Sequence, residues 1–394
     1  MAAWPAGFGV IPTGMAEKIP FNRPSLVGRE MEYIREALAL SQLAGDGVFT
    51  KRCNALIREK TGAAAALLTH SCTAALEMAA ILCDLGPGDE VIMPSFTFVS
   101  TANAVVLRGA TPVFVDIDSR TLNIDPAQVA RAITPKTRAI TAVHYAGVVA
   151  EMDGLGEIAR AHSLVLMEDA AQAYGSTYRG RQAGSLGDMA AFSFHETKNI
   201  IAGEGGALVL NRPELIERAE IIREKGTNRS RYFRGQVDKY SWVDLGSSFL
   251  PGELVAAFLA AQLEEEEHIR ATRLALWQRY DDVFRPLAEK GRIGVPFIPR
   301  HATTNGHIYY LLLRDLDDRT AFIEHMKAAQ ITTPFHYVPL HSAEAGRHFG
   351  RTPFALPVTD NVAERLVRLP SFLTLGEDAD HVINRALSFL SRSS

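Results

Sequence analysis

Short apolar runs alternate with helix-like stretches through residues 60–210, and this alternation limits the possible folds more than any other feature. The runs typical of buried strands are residues 91–93, 113–115, 139–143, 164–167, 190–194 and 206–210. The stretches typical of helices lie between them, at residues 73–85, 100–108, 126–133 and 154–162. Because a helix between two strands returns the chain to the same end of a sheet, we expect an α/β fold. Its sheet should be mostly parallel, with helices on both faces.

The pattern changes after residue 210. A helix is predicted over residues 213–225, followed by a polar, aromatic and glycine-containing segment at 226–246. One long helix is predicted over 252–284 as a connector. The rest predicts a small α+β unit, with strands at 308–314 and 331–336 and helices at 319–329, 360–368 and 378–391. We therefore expect a loose extension (1–18), a large domain (19–251), and a connecting helix with a small C-terminal domain (252–394).

Composition excludes several classes of protein. The chain has 394 residues, of which 41 are Lys or Arg and 45 are Asp or Glu, and no basic block suggests a nucleic-acid partner. No apolar run reaches the roughly 18 residues that a membrane-spanning helix needs. The three cysteines are too few for a disulfide framework, and the first residues lack the features of a signal peptide. We expect a cytoplasmic protein with neither nucleic acid nor membrane as a partner.

Two charged residues follow predicted buried strands. Asp169 ends one strand, and Lys198 follows another strand 29 residues later. Ligands of open α/β sheets bind at the carboxyl ends of the strands, so both side chains are expected at one site. A desolvated lysine is a nucleophile that forms Schiff bases, and a carboxylate pairs with a protonated pyridine nitrogen. Together they match the requirements of pyridoxal 5′-phosphate (PLP), and no metal site is predicted.

A phosphate-binding element is predicted near these two residues. Residues 70–73 immediately precede the first helix, whose N-terminal N–H groups favour an anion. The hydroxyl of Ser193 lies five residues before Lys198 and offers a further donor. A phosphate could therefore bind at this helix start.

Each residue has a structural alternative when it is considered alone. Asp169 is equally compatible with a helix cap, and most lysines lie in solvated loops. Ser71 and Thr73 would cap their helix with or without a phosphate. The phenylalanines of residues 94–98 are more often core residues than cofactor contacts. The order and spacing of the residues taken together favour a cofactor site.

Three segments carry a resemblance to a known family: residues 169–172 (DAAQ), 193–199 (SFHETKN) and 203–206 (GEGG). From about Ile19 to the C-terminus, the chain resembles the DegT/DnrJ/EryC1/StrS sugar-nucleotide aminotransferases. This resemblance implies the fold-type I architecture of aspartate aminotransferase-like PLP enzymes. That fold has a large, mostly parallel mixed sheet with helices on both faces, and a smaller α+β C-terminal domain.

The resemblance also implies roles at the cofactor. Lys198 would bind PLP as a Schiff base and transfer the proton, Asp169 would hold the pyridinium nitrogen, and Gln172 would approach the ring hydroxyl. The other cofactor contacts would come from the backbone of Cys72, the hydroxyls of Thr73 and Ser193, and the ring of Phe98.

One further cofactor contact is implied from a second subunit. The family commonly has a Gly-x-Asn-x-Arg segment whose Asn reaches the phosphate of the neighbouring subunit. Here residues 246–250 match it, with Ser248 at the Asn position and Leu250 at the Arg position. The resemblance thus implies a homodimer with shared active sites.

Longer runs indicate the substrate. Residues 76–80, 99–104, 143–147 and especially 223–239 (REKGTNRSRYFRGQVDK) are similar to the part of the family that makes dTDP-4-amino-4,6-dideoxygalactose. The implied reaction converts dTDP-4-keto-6-deoxyglucose and L-glutamate into that product and 2-oxoglutarate. Substrate-binding residues are expected in the basic, aromatic run and in the 336–341 segment, namely Arg229, Arg231, Tyr232, His336 and Tyr337.

Other functions remain open at this stage. A transaminase that acts at C3 or makes the opposite C4 epimer would show the same motifs. Sugar dehydratases of the same fold have histidine in place of the lysine, so Lys198 argues against them. A PLP-binding regulatory protein would need a DNA-reading module, and neither a basic helix-turn-helix signal nor spare length for one is present.

Overall fold

A computed structural model describes residues 18–391. The helices in this part of the chain are α1 (Glu30–Ala39), α2 (Val48–Thr61), α3 (Cys72–Leu82), α4 (Val99–Val106), α5 (Pro126–Ala132), α6 (Met152–Ala161), α7 (Ile216–Arg223), α8 (Arg229–Phe233), α9 (Glu253–Glu264), α10 (Glu266–Glu289), α11 (Leu316–Ala328), α12 (Glu344–Phe349), α13 (Pro357–Arg365) and α14 (Asp378–Leu390).

The strands form one large sheet and two small ones. They are β1 (Ala65–Thr69), β2 (Glu90–Pro94), β3 (Thr111–Val115), β4 (Thr137–Val143), β5 (Val165–Asp169), β6 (Thr177–Tyr178), β7 (Arg181–Gln182), β8 (Met189–Ser193), β9 (Gly206–Leu210), β10 (Ala302–Thr303), β11 (Tyr310–Leu312) and β12 (Leu366–Arg368).

The large sheet has the strand order β1-β9-β8-β5-β4-β2-β3. Its neighbours pair in parallel except at β9, which is antiparallel to both β1 and β8. One hydrophobic cluster packs α1, α2, α5, α6 and α9 on one face, and another packs α3, α4 and α7 on the opposite face. The predicted mostly parallel mixed sheet with helices on both faces is confirmed.

The register of the sheet brings three strand ends together. Thr69 of β1 pairs with Gly206 of β9, and Gly206 also pairs with Ser193 of β8. On the other side of β8, Asp169 pairs with Ala191. The start of α3, which follows β1, therefore lies at the same edge as Ser193 and Asp169.

A second core belongs to the C-terminal part of the chain. It packs aromatic and aliphatic residues of α10, α11 and α14 against β11 and β12. Within residues 18–391, no helix is both long enough and apolar enough to cross a membrane.

The single long helix predicted over 252–284 is wrong. The chain leaves helical geometry at Glu265 (φ −97°, ψ 15°), which separates α9 from α10. Just beyond the break, the buried carboxylate of Glu266 lies 2.5 Å from Nζ of Lys60 and 2.9 Å from Nε of Arg270. The break therefore places the Glu266 carboxylate in the interior, where it pairs with Lys60 and Arg270.

Two C-terminal elements also differ from the prediction. The strand expected at 331–336 forms only isolated bridges at Ile331 and Phe335. The helix expected over 360–368 ends at Arg365, because the next three residues pair with β11 and bury Leu366 and Val367 completely. Pairing with a distant strand outweighs the local helical pattern there.

The division into domains stays a prediction. Residues 256–263 of α9 lie in the core of the large sheet, so the first part of the expected connector packs with the large domain. The expected loose extension lies outside the described residues except for Lys18.

One buried carboxylate joins α9 to α2, and we predict that its removal destabilises the fold. Glu253 accepts hydrogen bonds from the backbone N–H groups of Gly47 (3.1 Å), Phe49 (2.8 Å) and Thr50 (3.1 Å) and from the Thr50 hydroxyl. Glu253→Ala leaves these buried donors unsatisfied and should lower the free energy of unfolding by roughly 3 kcal/mol. Urea denaturation measures this change. The exposed Glu267→Ala is the control, and equal stability of the two variants would contradict the capping role.

Candidate active site

A cavity of about 520 Å³ lies at the carboxyl edge of the large sheet, beside the C-terminal part of the chain. It brings together most residues that the sequence indicated. Those that line it are Cys72, Thr73, Phe98, Asp169, Gln172, Ser193, Lys198, His336 and Tyr337. The roles of these residues stay predictions, but their convergence on one cavity is a property of the fold.

Asp169 is buried and held by a chain of hydroxyl groups. Its Oδ2 accepts a hydrogen bond from the Thr101 hydroxyl at 2.7 Å. Because Thr101 donates to the carboxylate, the Thr97 hydroxyl 2.9 Å away must donate to Thr101. The other oxygen of Asp169 accepts from the backbone N–H of Ala171 at 3.2 Å, which is a local turn contact rather than a helix cap. The carboxylate is therefore fixed in orientation at the cavity wall.

The neighbouring carboxylate, Glu168, is fully buried and fixes the end of β5. It accepts hydrogen bonds from Nε2 of His144 (2.9 Å) and from the backbone N–H groups of Gly184, Leu186 and Gly187 (2.7–2.8 Å). Burial alone would raise the pKa of Glu168, but these hydrogen bonds outweigh it and lower the pKa. Glu168 is thus a structural anion held beside the candidate site.

Lys198 is positioned by the turn after β8 and has a lowered pKa. Its backbone N–H donates to the carbonyl of His195 at 2.9 Å. Burial is the main cause of the lowered pKa, and the positive charge of Arg368 contributes, while the carboxylate of Asp169 acts in the opposite direction. A lysine that loses its proton more easily is a better nucleophile and base.

The start of α3 forms a cradle at the same edge. The Ser71 side chain caps the helix by accepting from the backbone N–H of Ala74 at 3.1 Å. The strand residue beside it is Gly206, where a Cβ atom would lie 2.3 Å from the carbonyl carbon of Ser71 and 2.4 Å from the nitrogen of Cys72. Only glycine allows this approach. Helix N–H groups here are suited to a phosphate, as is the Thr73 hydroxyl, which lies 2.8 Å from that of Ser100.

Gln172 and Tyr337 are linked across the cavity. The Gln172 side chain accepts from the backbone N–H of Ala146 at 2.7 Å and donates to the Tyr337 hydroxyl at 2.9 Å. Burial raises the pKa of Tyr337, so its hydroxyl keeps its proton. This pair joins the large sheet to the C-terminal part of the chain.

Two histidines, His307 and His336, also line the cavity. Nδ1 of His336 lies 3.1 Å from the Tyr145 hydroxyl, and Nδ1 of His307 lies 2.9 Å from Oδ1 of Asn199. Burial lowers the pKa of both rings, helped by nearby cations that include Lys198 and Arg368. Both histidines are therefore neutral at pH 7.

The two phenylalanines of the 94–98 segment have different environments. Phe96 is fully buried and packs edge-to-face on Tyr145 and Tyr337, with ring centroids 5.0 and 5.5 Å apart. Phe98 is 58% exposed and lines the cavity at the start of α4. The core interpretation holds for Phe96, whereas Phe98 is available to contact a ligand.

Four predicted site residues lie outside the cavity of their own chain: Arg229, Arg231, Tyr232 and Ser248. Arg229 pairs with Glu224 and Arg231 with Glu217, both at 3.0 Å. The Tyr232 ring packs on Phe233, and Ser248 is exposed. For the arginines, acidic residues on and just beyond α7 supply the partners that the sequence pattern left undefined.

Sequence reasoning missed two arginines that line the cavity, Arg273 and Arg368. Arg273 lies on the buried face of α10 among Ile269, Trp277 and Tyr280, and burial lowers its pKa to about 10. A charged residue at an apolar position of this helical period was the available signal. Arg368 lies between two fully buried residues of the β12 region, which is a similar signal.

Comparison with known proteins agrees with this geometry. A sequence model of the DegT/DnrJ/EryC1/StrS aminotransferase family matches residues 24–387. The chain belongs to this family. It is 33% identical to the GDP-perosamine synthase of Caulobacter vibrioides over 375 residues, which covers 93% of this chain and 96% of that protein.

Solved structures of other aminotransferases share the fold. DesV of S. venezuelae, solved in complex with a ketimine intermediate, is 32% identical with a TM-score of 0.87, covering 96% of this chain and 100% of DesV. The PLP form of a putative sugar aminotransferase, Spr1654 of Streptococcus pneumoniae, is 26% identical with a TM-score of 0.87 and the same coverage. The fold is therefore fold-type I, and the cofactor is PLP.

The residues of this chain fit PLP. The cradle beside Gly206 would hold the phosphate, the fixed carboxylate of Asp169 would face the ring nitrogen, and the amine of Lys198 would meet the aldehyde. Each of these groups lines the one cavity, and each has the charge or hydrogen-bonding capacity that its counterpart on PLP requires.

The close approach at Gly206 generates a prediction about cofactor affinity. The methyl group of Gly206→Ala would push the start of α3 out of place and weaken its contacts with phosphate. We expect the dissociation constant of PLP to rise about tenfold or more, since losing hydrogen bonds to a charged group costs roughly 1.5–3 kcal/mol. Absorption titration of the cofactor-free protein measures it. Gly86→Ala, where the added Cβ would have open space, is the control. Unchanged PLP affinity in Gly206→Ala would contradict the cradle.

The hydroxyl chain to Asp169 generates a second prediction. Thr101→Val removes the donor that orients the carboxylate, and kcat for amino transfer should fall about tenfold because a charged-group hydrogen bond is lost. Steady-state kinetics with saturating substrates provide the measurement. Thr141→Val is a matched control, since the buried Thr141 hydroxyl has no partner in the described structure and its loss should be harmless. Equal kcat values for both variants would mean that Thr101 does not position Asp169.

Proposed function

We propose that this protein transfers the amino group of L-glutamate to C4 of a 4-keto-6-deoxy nucleotide sugar. The observation that carries the proposal is the convergence on one cavity of the Lys198 amine, the Asp169 carboxylate and the start of α3. Family membership supports the amino-transfer reaction, and the relative named GDP-perosamine synthase supports a nucleotide-sugar substrate. The amino donor and the position that is aminated rest on the sequence resemblance.

Different residues of the chain have different roles in the proposed amino transfer. PLP, when bound, supplies an electrophilic aldehyde and a ring that stores an electron pair. The Asp169 carboxylate, fixed by Thr101, would hold the ring nitrogen of the cofactor in its protonated form. Nζ of Lys198, whose pKa is lowered by burial, accepts the α-proton of the donor and later donates a proton to the sugar carbon that gains the amine. Because His307 and His336 are neutral, they add no positive charge to that of Arg273 and Arg368 in the cavity lining.

The nucleotide of the substrate has two candidates. The run 223–239 supports dTDP-4-keto-6-deoxyglucose and a dTDP-4-amino-4,6-dideoxygalactose product, as the sequence indicated. The similarity to a GDP-perosamine synthase favours a GDP-linked sugar instead. A direct comparison of the two nucleotide sugars as substrates distinguishes these candidates.

A homodimer with shared active sites forms part of this proposal. Arg229, Arg231, Tyr232 and Ser248 do not line the cavity of their own chain, so they could contact substrate or cofactor only in a second subunit. Large apolar side chains near them support a covered surface, because Phe233 is 71% and Trp242 is 78% exposed. The expected cytoplasmic location stays a prediction.

Visible absorption tests the proposal through its two half-reactions. The PLP band of the purified protein should decrease when L-glutamate is added and return when dTDP- or GDP-linked 4-keto-6-deoxysugar follows. Lys198→Ala should abolish both changes while the protein still folds, because the proton-transferring amine is gone. Lys327→Ala, which removes an exposed lysine, should behave like the wild type.

The possible outcomes separate the parts of the proposal. A band that falls with glutamate and recovers with neither sugar rejects 4-keto-6-deoxy sugars and retains amino transfer. A band insensitive to every amino donor rejects the transaminase function. Near-normal turnover of Lys198→Ala would show that another residue transfers the proton.

A further inference from the structure

One segment of the C-terminal part, residues 336–341, carries two cavity residues and is attached to the rest of the molecule on both sides. Before it, the carbonyl of Pro334 accepts from the backbone N–H of the last residue of β12 at 2.9 Å. Near its end, the backbone N–H of Leu340 donates to the carbonyl of Ser95 at 3.0 Å. Between these attachments, Tyr337 and the histidine before it line the cavity. The position of both side chains therefore depends on the two attachments.

His341 adds two hydrogen bonds to the second attachment. Its backbone N–H donates to the hydroxyl oxygen of Ser95 at 3.0 Å, and its ring Nδ1 lies 2.7 Å from the same oxygen. Ser95 is fully buried, and Nδ1 of His341 is the one acceptor for its hydroxyl hydrogen among residues 18–391. The Ser95 hydroxyl therefore donates to Nδ1, and the ring carries its own hydrogen on Nε2.

Ser95 connects this attachment to the large sheet. It follows directly after β2, and its backbone N–H donates to the carbonyl of the last residue of β3 at 3.2 Å. The next residue, Phe96, is fully buried, and its ring centre lies 5.5 Å from that of Tyr337. The Gln172 amide donates to the Tyr337 hydroxyl at 2.9 Å. Three contacts thus fix Tyr337: the backbone held by His341, the ring of Phe96 and the amide of Gln172.

His341 can influence a ligand only indirectly, because it does not line the cavity. Its second side-chain neighbour is Asp360, whose Oδ1 lies 3.3 Å from Nε2 of the ring. The Asp360 carboxylate is 55% exposed, so water weakens this contact. The buried hydrogen bond with Ser95 is therefore the interaction through which His341 holds the segment.

We propose that His341 is a positioning residue for the sugar substrate, and that its hydrogen bond with Ser95 holds Tyr337 in place at the cavity. The inference rests on the proposed function, in which Tyr337 contacts the nucleotide sugar. Without this hydrogen bond, the segment is held firmly on one side only, and Tyr337 is free to move away from Gln172. Sugar binding is then weaker, because part of the binding free energy is used to order the segment.

Three variants separate the hydrogen bond from the rest of the side chain. His341→Phe keeps an aromatic ring and removes the Nδ1 acceptor. His341→Asn keeps an acceptor oxygen at the position of Nδ1 and removes the rest of the ring, so it is the conservative variant. Ser95→Ala removes the same hydrogen bond from the other side. His348→Phe is the matched control, because it makes the same change at an exposed histidine.

Two measurements on the holoenzyme test the proposal. Amide hydrogen exchange of residues 334–343, followed by mass spectrometry, reports opening of the segment without requiring turnover. Steady-state kinetics give KM for L-glutamate and for the dTDP- and GDP-linked 4-keto-6-deoxysugars. His341→Phe should speed exchange in 334–343 and raise KM for the sugar about 3- to 10-fold, the range for the loss of one hydrogen bond between neutral groups. KM for glutamate should not change, and His341→Asn should restore both wild-type values.

A double-mutant cycle tests whether the effect passes through Tyr337. His341→Phe should raise KM for the sugar in the wild-type background and add little in a Tyr337→Ala background, because the side chain that it positions is then absent. Full additivity of the two effects would show that His341 does not act through Tyr337, which contradicts the proposal.

Other results also overturn the inference. Unchanged exchange in His341→Phe would show that the hydrogen bond does not hold the segment. Faster exchange with an unchanged KM for the sugar would remove the positioning role, as would equal increases in both KM values, which a purely structural role predicts. If His341→Phe does not fold, Ser95→Ala decides by the same criteria. Failure of the proposed function is separate, because it appears as a wild-type protein that aminates neither nucleotide sugar.

Discussion

The buried carboxylate of Glu168 is the interaction on which the geometry of the cavity depends. It joins the end of β5 to the turn after β4 through His144 and to residues 184–187 before β8. The ring of His144 is itself fixed, because its Nδ1 accepts from the backbone N–H of Ala150 and its Nε2 must therefore carry the hydrogen. An unsatisfied carboxylate at this depth would be strongly unfavourable, so all three segments are held in one arrangement.

This arrangement separates the charges of the site. Asp169, the next residue along β5, lines the cavity, where its carboxylate can contact a ligand. The C-terminal part of the chain contributes Arg273 and Arg368 to the same cavity, together with two histidines that burial keeps neutral. A site with an anion on one side and cations on the other can hold a cationic ring while it binds anionic substrates. Burial and the positive charge of Arg368 lower the pKa of Lys198, while the carboxylate of Asp169 acts in the opposite direction.

Prediction from the sequence placed residues correctly where they follow the ends of strands. Asp169 and Lys198 could be placed because a parallel sheet collects the residues after its strands at one edge. The same reasoning could not find Arg368, whose position at the cavity depends on pairing between β11 and β12. It also expected Arg229 and Arg231 of the basic, aromatic run to bind substrate, and it gave no indication of the acidic residues on and just beyond α7 that pair with both side chains.

The sequence by itself determined the mostly parallel sheet and the family, and it placed Lys198 and Asp169 at the edge of the sheet where the cavity lies. Each of these follows from short segments of the chain, whose periodicity or residue order can be recognised without knowing the contacts between distant segments. Only the tertiary structure decided the break at Glu265, the approach of α3 over Gly206, and the position at the cavity of two arginines that pair with no carboxylate of residues 18–391. These features depend on contacts between segments far apart in the chain, where burial and available partners determine which charge is satisfied by the protein and which is left for a ligand.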